Sequence, residues 1–266
     1  MMEKPVDEEP ETKEELAYLV NVCKKAERYD DMVDAIKKGG CDRFLIKLDP
    51  NLSVEERTML SIAYDTATDA RRSSWRALSH TEDVPLTDEK HQELCKYRVQ
   101  VKSELMHFCQ ELLTFINDLL LPKATDAEAK VFYLKMKADY HRHMAELVTD
   151  DDRTGLFDHA KGAYKAAMDI ATDQIGPTDP IRLGLAHNFS MFHYEVLKSV
   201  DDARAVTKNA VDLANAEIAT FAGPLPEDVT NILSMMKGNM QLWTPKEVAN
   251  QAKTDGEGSA EPPKEG

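Results

Sequence analysis

Glu104-Leu-Met-His107 sets a carboxylate and an imidazole three residues apart, near enough on one helix to share a metal ion. Carboxylate-bridged metal pairs in helical bundles need two such Glu-x-x-His motifs and two further glutamates facing the core. The chain carries one motif and no second, so a solvated Glu–His pair accounts for it better. His141-Arg142-His143 places two imidazoles two residues apart, on nearly opposite sides of a helix, so they cannot chelate one ion. The phosphate-cradling loops GxxxxGK(S/T) and GxGxxG do not occur, nor do HExxH and GxSxG. Cys23, Cys41, Cys95 and Cys109 show no CxxC spacing, which argues against a zinc site or a disulfide framework. No catalytic residue, metal or cofactor is expected.

What remains is chemistry of charge and contact. Lys135, Asp139 and Arg142 fall at i, i+4 and i+7, which gathers two cations and a carboxylate on one helix face. Asn188, Met191 and Glu195 share a face in the same way. Arg71-Arg72-Ser73-Ser74 reads as a site for a basophilic kinase.

The elements that must position these residues are helices almost throughout. Leu94, Tyr97, Val101, Leu105, Phe108, Leu112, Phe115 and Leu119 step by three and four, one apolar stripe on a helix of about thirty residues. Leu60, Ala63, Tyr64, Ala67, Ser74 and Leu78 form a second stripe. Leu156, Ala160, Ala163, Ala167 and Ala171 form a third, whose small residues permit close packing. Thr12…Glu15, Ser53…Glu56 and Thr125…Glu128 fit the capping box, and Asp179-Pro180 fits an N-cap followed by proline. Gly39-Gly40, Pro122 and Gly176-Pro177 stop helices. The pattern predicts about nine helices, no strand, and an irregular connection over Gly39–Pro50.

The 266 residues carry 33 basic and 48 acidic side chains, a net charge of −15. An acidic surface is a poor general partner for nucleic acid or anionic membranes, so any anion site must be a local exception. No apolar leader and no apolar run of membrane-spanning length is visible, and a cytoplasmic protein is expected. Residues 1–11 and 244–266 read as disordered tails, and 12–243 as one helical domain. A free linker is the expectation for the last segment.

Arg57-Thr-Met-Leu-Ser-Ile-Ala-Tyr-Asp-Thr-Ala-Thr-Asp-Ala-Arg-Arg-Ser-Ser-Trp-Arg76 resembles the first signature of the 14-3-3 family. Ala26-Glu-Arg-Tyr-Asp-Asp-Met32, Val131-Phe-Tyr-Leu-Lys-Met-Lys-Ala-Asp-Tyr140 and Pro180-Ile-Arg-Leu-Gly-Leu-Ala186 with Asn188-Phe-Ser190 resemble further family blocks, in family order. Asn231 through Trp243-Thr244 is a looser match to the second signature. The resemblance implies an all-α fold of nine antiparallel helices in a cup-shaped dimer. Each protomer would hold phosphoserine or phosphothreonine peptides in an amphipathic groove. It implies an adaptor and not an enzyme.

Residue by residue, the resemblance assigns the phosphate to Arg72 and Arg142, with Lys135 and Asp139 beside them. Arginine suits that task because its planar fork gives paired, charge-assisted hydrogen bonds to phosphate oxygens. Asn188 would bond the peptide backbone. Met191, Glu195, Ile232, Met235, Asn239 and Trp243 match other groove positions. Four positions depart from the family: Asp65 stands where it has Lys, His143 where it has Tyr, and His187 and Asn231 where it has Leu. Asp65, seven residues before Arg72, is expected to pair with it. His143 is expected to take a proton beside a phosphate and so to compensate in part. These changes predict phosphopeptide binding that is weakened or re-specified. The alternative is a phosphate-independent structural or regulatory subunit that works mainly through dimerisation.

The resemblance also places Arg28, Asp31 and Glu104 at the dimer interface. Arg28 and Glu104 match a cross-dimer ion pair, while Asp31 meets Gln100 where the family has Lys. A homodimer, or a heterodimer with a more typical subunit, is expected. Ser74 matches a family interface serine whose phosphorylation favours monomers.

Overall fold

A computed structural model of the chain describes residues 12–37, 51–80, 87–148, 150–220 and 223–243. Nine α-helices and no strand occur among the described residues: α1 (Lys13–Lys25), α2 (Tyr29–Lys37), α3 (Val54–His80), α4 (Asp88–Phe115), α5 (Ala127–Ala145), α6 (Asp150–Gln174), α7 (Pro180–Met191), α8 (Val200–Ile218) and α9 (Glu227–Leu242). Short π-helical turns continue α4 at Ile116–Leu120 and α7 at Phe192–Val196. The glycine pair Gly39-Gly40, the connection to Pro50 and both predicted tails lie outside the described residues.

Local signals set most helix starts. Thr12 and Glu15 exchange side-chain and backbone hydrogen bonds of 3.2 and 3.1 Å, and Ser53 and Glu56 do the same at 3.2 and 2.7 Å. Asp179 caps α7 by accepting from the Ile181 amide at 2.7 Å, with Pro180 in the first turn. The cap of α5 differs from the expected Thr125 box. Asp126 takes the position instead and accepts from the Ala129 amide at 2.7 Å. A carboxylate there adds a full charge to the favourable end of the helix dipole, which a threonine cannot.

Two compact units divide the chain, one up to Ala167 and the other from Met168 on. The core of the first unit is gathered from α1 to α6 around Val20, Met32, Leu60, Tyr64, Leu105, Leu112, Tyr133 and Tyr140. Its buried tyrosines do not waste their hydroxyls. Tyr64 donates to Glu111 at 2.6 Å and Tyr140 to Asp65 at 2.9 Å, which offsets the cost of burying a polar tip. The core of the second unit joins α7, α8 and α9 through Leu183, Ala186, Val211, Ala214, Val229, Leu233 and Met236.

The long stripe on α4 is only half inside its protomer. Val101, Leu105, Cys109 and Leu112 are buried, but Tyr97 is 55 % exposed; Val99, on the opposite side of the helix from Tyr97, is also open. On α1, Tyr18 is 73 % exposed, and Val22 lies one turn further along.

Candidate functional site

The cationic cluster of the first unit is carried by α3 and α5. Asp139 is its centre. Its carboxylate accepts from Lys135 Nζ at 2.9 Å and from the buried Tyr164 hydroxyl, with Arg142 3.9 Å away. Burial on its own would raise the Asp139 pKa. Lys135, Arg142 and the donated hydrogen bonds overcome that and bring it down to about 2. Asp139 is therefore a fixed anion that orients its neighbours.

Arg72 is almost enclosed, and its guanidinium is shared between two carboxylates. It reaches Glu146 at 2.6 Å and 3.4 Å and Asp69 at 2.7 Å. Arg76 joins the same Glu146 at 3.0 Å. The expected Asp65–Arg72 pair is not formed. Seven residues of helix span about 10 Å along the axis, beyond direct reach, whereas Glu146 comes in from the end of α5. Asp65 instead accepts from Ser61 at 2.6 Å and from Tyr140 at 2.9 Å. Its carboxyl pKa is raised by burial, against the pull of Ser61, Lys135 and Tyr140.

His143 also differs from expectation. The ring is 6 % exposed. Burial first, then the adjacent Arg72 and Arg142 charges, hold its pKa well below the ordinary imidazole value, so it does not charge as expected. Arg142 lies 3.3 Å from Nε2, and Nδ1 is buried with no hydrogen-bond partner among the described residues. With Arg142 donating to Nε2, the neutral ring carries its proton on Nδ1. That leaves a buried donor unsatisfied, at a cost of about 1–3 kcal/mol.

The first-unit cluster thus assembles Arg72, Arg76, Lys135 and Arg142 with Asp65, Asp69, Asp139 and Glu146. Glu146, Tyr140 and Tyr164 were not anticipated from the sequence, because each reaches its partner across 25 to 75 residues of chain. Among the described residues no group of three or more His, Cys, Asp or Glu side chains is placed to hold a metal ion.

The second unit carries the other expected positions. Asn239 Nδ2 lies 3.4 Å from the Met191 sulfur, which brings α7 and α9 residues together. On α9, Met235 is 51 % and Leu242 is 62 % exposed, an apolar stripe at i and i+7 with Ile232 half-buried behind it. Leu242 went unremarked in the sequence although its spacing from Met235 would have found it. Asn188, His187 and Met191 are half-buried, while Glu195 and Asn231 are exposed. Trp243 differs from a presented wall residue. Its ring is buried and stacked on Tyr194 with centroids 5.0 Å apart, and its carbonyl accepts from Arg204 at 2.6 Å.

The dimer-assigned residues are engaged within the protomer. Arg28 pairs with Asp31, while Glu104 meets Arg71 at 3.5 Å and accepts from Gln100 at 3.0 Å. Ser74 is exposed, its hydroxyl donating to the Ala70 carbonyl at 3.0 Å.

One titration follows from the same helix. His141 stacks on His159 with centroids 5.2 Å apart, and burial, then His159, then Lys137 lower its pKa to about 4. The native ring stays neutral between about pH 4 and 6.5, where the unfolded chain binds a proton. Stability is therefore full above pH 6.5 and falls as the pH drops towards 4. The ring is partly exposed, so screening reduces the loss to about 1–2 kcal/mol. Urea midpoints at pH 7.5 and 4.5 should show this drop, and His141→Phe should make it smaller.

The comparisons with known proteins identify the kind of protein that carries this cluster. The family model for the 14-3-3 protein matches residues 19–244. The chain is 45 % identical over 233 residues to 14-3-3-like protein 2 of Caenorhabditis elegans, covering 87 % of this chain and 92 % of that one. It is 43 % identical over 252 residues to a 14-3-3-like protein of Chlamydomonas reinhardtii, with 93 % and 95 % covered. It is 43 % identical over 235 residues to 14-3-3 protein epsilon of Drosophila melanogaster, with 87 % of each covered. The chain belongs to the 14-3-3 family. Family members are non-enzymatic adaptors that bind phosphorylated client proteins and dimerise; this chain is a non-enzymatic adaptor, and its membership supports the phosphopeptide-binding role. No described helix is long and apolar enough to cross a membrane.

Proposed function

We propose that this chain binds phosphoserine or phosphothreonine peptides through Arg72 and Arg142, with a weaker and differently selective hold than a pocket with lysine at position 65 would give. The observation that carries this reading is the first-unit cluster itself. Four cations meet four carboxylates there, so the site has no net positive charge until a carboxylate moves away. Arg72 and Arg142 keep the planar forks a phosphate needs, and His143 keeps a buried donor without a partner. We assign the α7 and α9 faces, with Asn188, Asn239, Met191 and Met235, to peptide contact. Reduced thiols at Cys95 and Cys109 support a cytoplasmic location.

Fluorescence anisotropy with a labelled Arg-Ser-x-pSer-x-Pro peptide and its unphosphorylated twin tests the reading. The phosphorylated peptide should bind at least about tenfold more tightly, and Arg72→Ala should remove the difference. Equal binding of the two would leave the phosphate-independent subunit.

We also infer dimerisation through α1 and α4. Tyr18 and Val22, one turn apart on α1, and Tyr97 on α4 leave apolar side chains open on the protomer, as an interface requires. Gln100 offers Asp31 of another copy no charge, so a heterodimer with a lysine-bearing subunit is the preferred assembly. Equal stability of both dimers in sedimentation would remove that preference. Phosphorylation of Ser74 would set a dianion beside this surface and oppose association. A Ser74→Glu protein that stays fully dimeric would count against the switch.

A further inference from the structure

The second unit holds a cavity that the phosphopeptide reading does not use. It has a volume of about 280 Å³ and is lined by Thr178, Pro180, Glu217, Ile218, Leu225, Pro226 and Val229. The start of α7, the end of α8 and the start of α9 enclose it. Its walls are mainly apolar, and no lining residue is basic. An apolar cavity of about 150 Å³ accommodates benzene, so this one has room for a substituted ring.

The polar contribution is anionic. Glu217 lies in the last turn of α8, where the helix dipole is negative. Its Oε2 accepts from the Thr178 amide at 2.8 Å, and its Oε1 has no hydrogen-bond partner among the described residues. Asp179, which caps α7, and Glu227 and Asp228, in the first turn of α9, flank the lining residues in sequence. An apolar recess with a carboxylate in its wall favours an apolar body bearing a positive charge. A neutral hydrocarbon would leave Glu217 no better paired, and an anion would meet only repulsion.

We propose that this cavity binds small hydrophobic organic cations, with an aryl or alkyl body among Ile218, Leu225, Pro226 and Val229 and an ammonium group on Glu217 Oε1. The probe is phenethylammonium, compared with phenylacetate and ethylammonium, titrated into the full chain and read by ligand-observed NMR. Phenethylammonium should saturate with a Kd of about 1 mM. Phenylacetate carries the opposite charge and ethylammonium lacks the apolar body, so neither should saturate.

Glu217→Gln keeps a carbonyl oxygen for the Thr178 amide and removes the charge, and should weaken binding about fivefold or more. Leu225→Trp fills the cavity from the loop side and should abolish binding in a protein whose thermal melt is unchanged. If that variant does not fold, Glu217→Gln alone decides. Equal saturation by phenylacetate, no saturation by phenethylammonium up to roughly 10 mM, or an unchanged Kd in Glu217→Gln would each overturn the assignment. No phosphopeptide enters the test, so its result is independent of the reading above.

Discussion

Replacing Asp139 by alanine is expected to cost about 3–5 kcal/mol of stability, the largest loss at any position in the cluster. The carboxylate is buried and accepts from Lys135 and Tyr164, with Arg142 beside it. Removing it leaves a half-buried ammonium and a guanidinium facing each other without their anion, and takes away the acceptor of the Tyr164 hydroxyl. Urea unfolding at pH 7 measures the change. Asp139→Asn should lose less, because its amide oxygen still accepts one hydrogen bond. A loss below about 1 kcal/mol in the alanine variant would mean that the carboxylate holds nothing in place. The pH dependence has a definite sign. Because the native pKa lies near 2, the stabilisation is full above the ordinary carboxylate range and is lost as the pH falls through about 2.

The second large effect is a gain. Asp65→Lys should tighten binding of the phosphorylated peptide about hundredfold while leaving its unphosphorylated twin unchanged. At an effective dielectric near 20, two unit charges about 6 Å apart interact by about 2–3 kcal/mol. The substitution changes the local charge by two units, and solvent screening brings the net gain back to about 3 kcal/mol. Asp65→Asn changes the charge by one unit and keeps an acceptor for Tyr140, so it should gain about tenfold with less disturbance of the core. Anisotropy titrations on both variants check this. No gain in either would mean that the carboxylate at this position does not oppose a phosphate.

How much of this was legible in the chain depends on the distance over which each feature is decided. The caps at Thr12, Ser53 and Asp179 are settled within three residues, and they stand where the sequence puts them. The shift from Thr125 to Asp126 is a contest between two adjacent capping residues, which pattern alone does not decide. The Lys135–Asp139–Arg142 face follows from helical periodicity and assembles as expected. The company of Arg72 does not follow. Its partner Glu146 is 74 residues away, and periodicity pointed to Asp65 because that residue shares its helix. Family likeness supplied the groove positions. It did not reveal that His143 lies buried beside two guanidiniums, because burial is set by how α3 and α5 pack. Nothing in the spacing of Trp243 indicated that its ring stacks on Tyr194.

On the proposed reading, in which Arg72 takes the phosphate, its pairing with Glu146 and Asp69 makes ligand capture an ion exchange. Most phosphate sites surrender mobile counter-ions when they fill, so added salt competes with the ligand and the affinity falls steeply with ionic strength. Here the displaced anions are tethered to the protein, and their local concentration does not change when salt is added. Electrolyte also screens the carboxylates that hold the guanidinium back, which partly cancels its screening of the incoming phosphate. Phosphopeptide affinity should therefore be nearly flat between 50 and 300 mM salt, roughly the range over which an open basic pocket loses most of its hold.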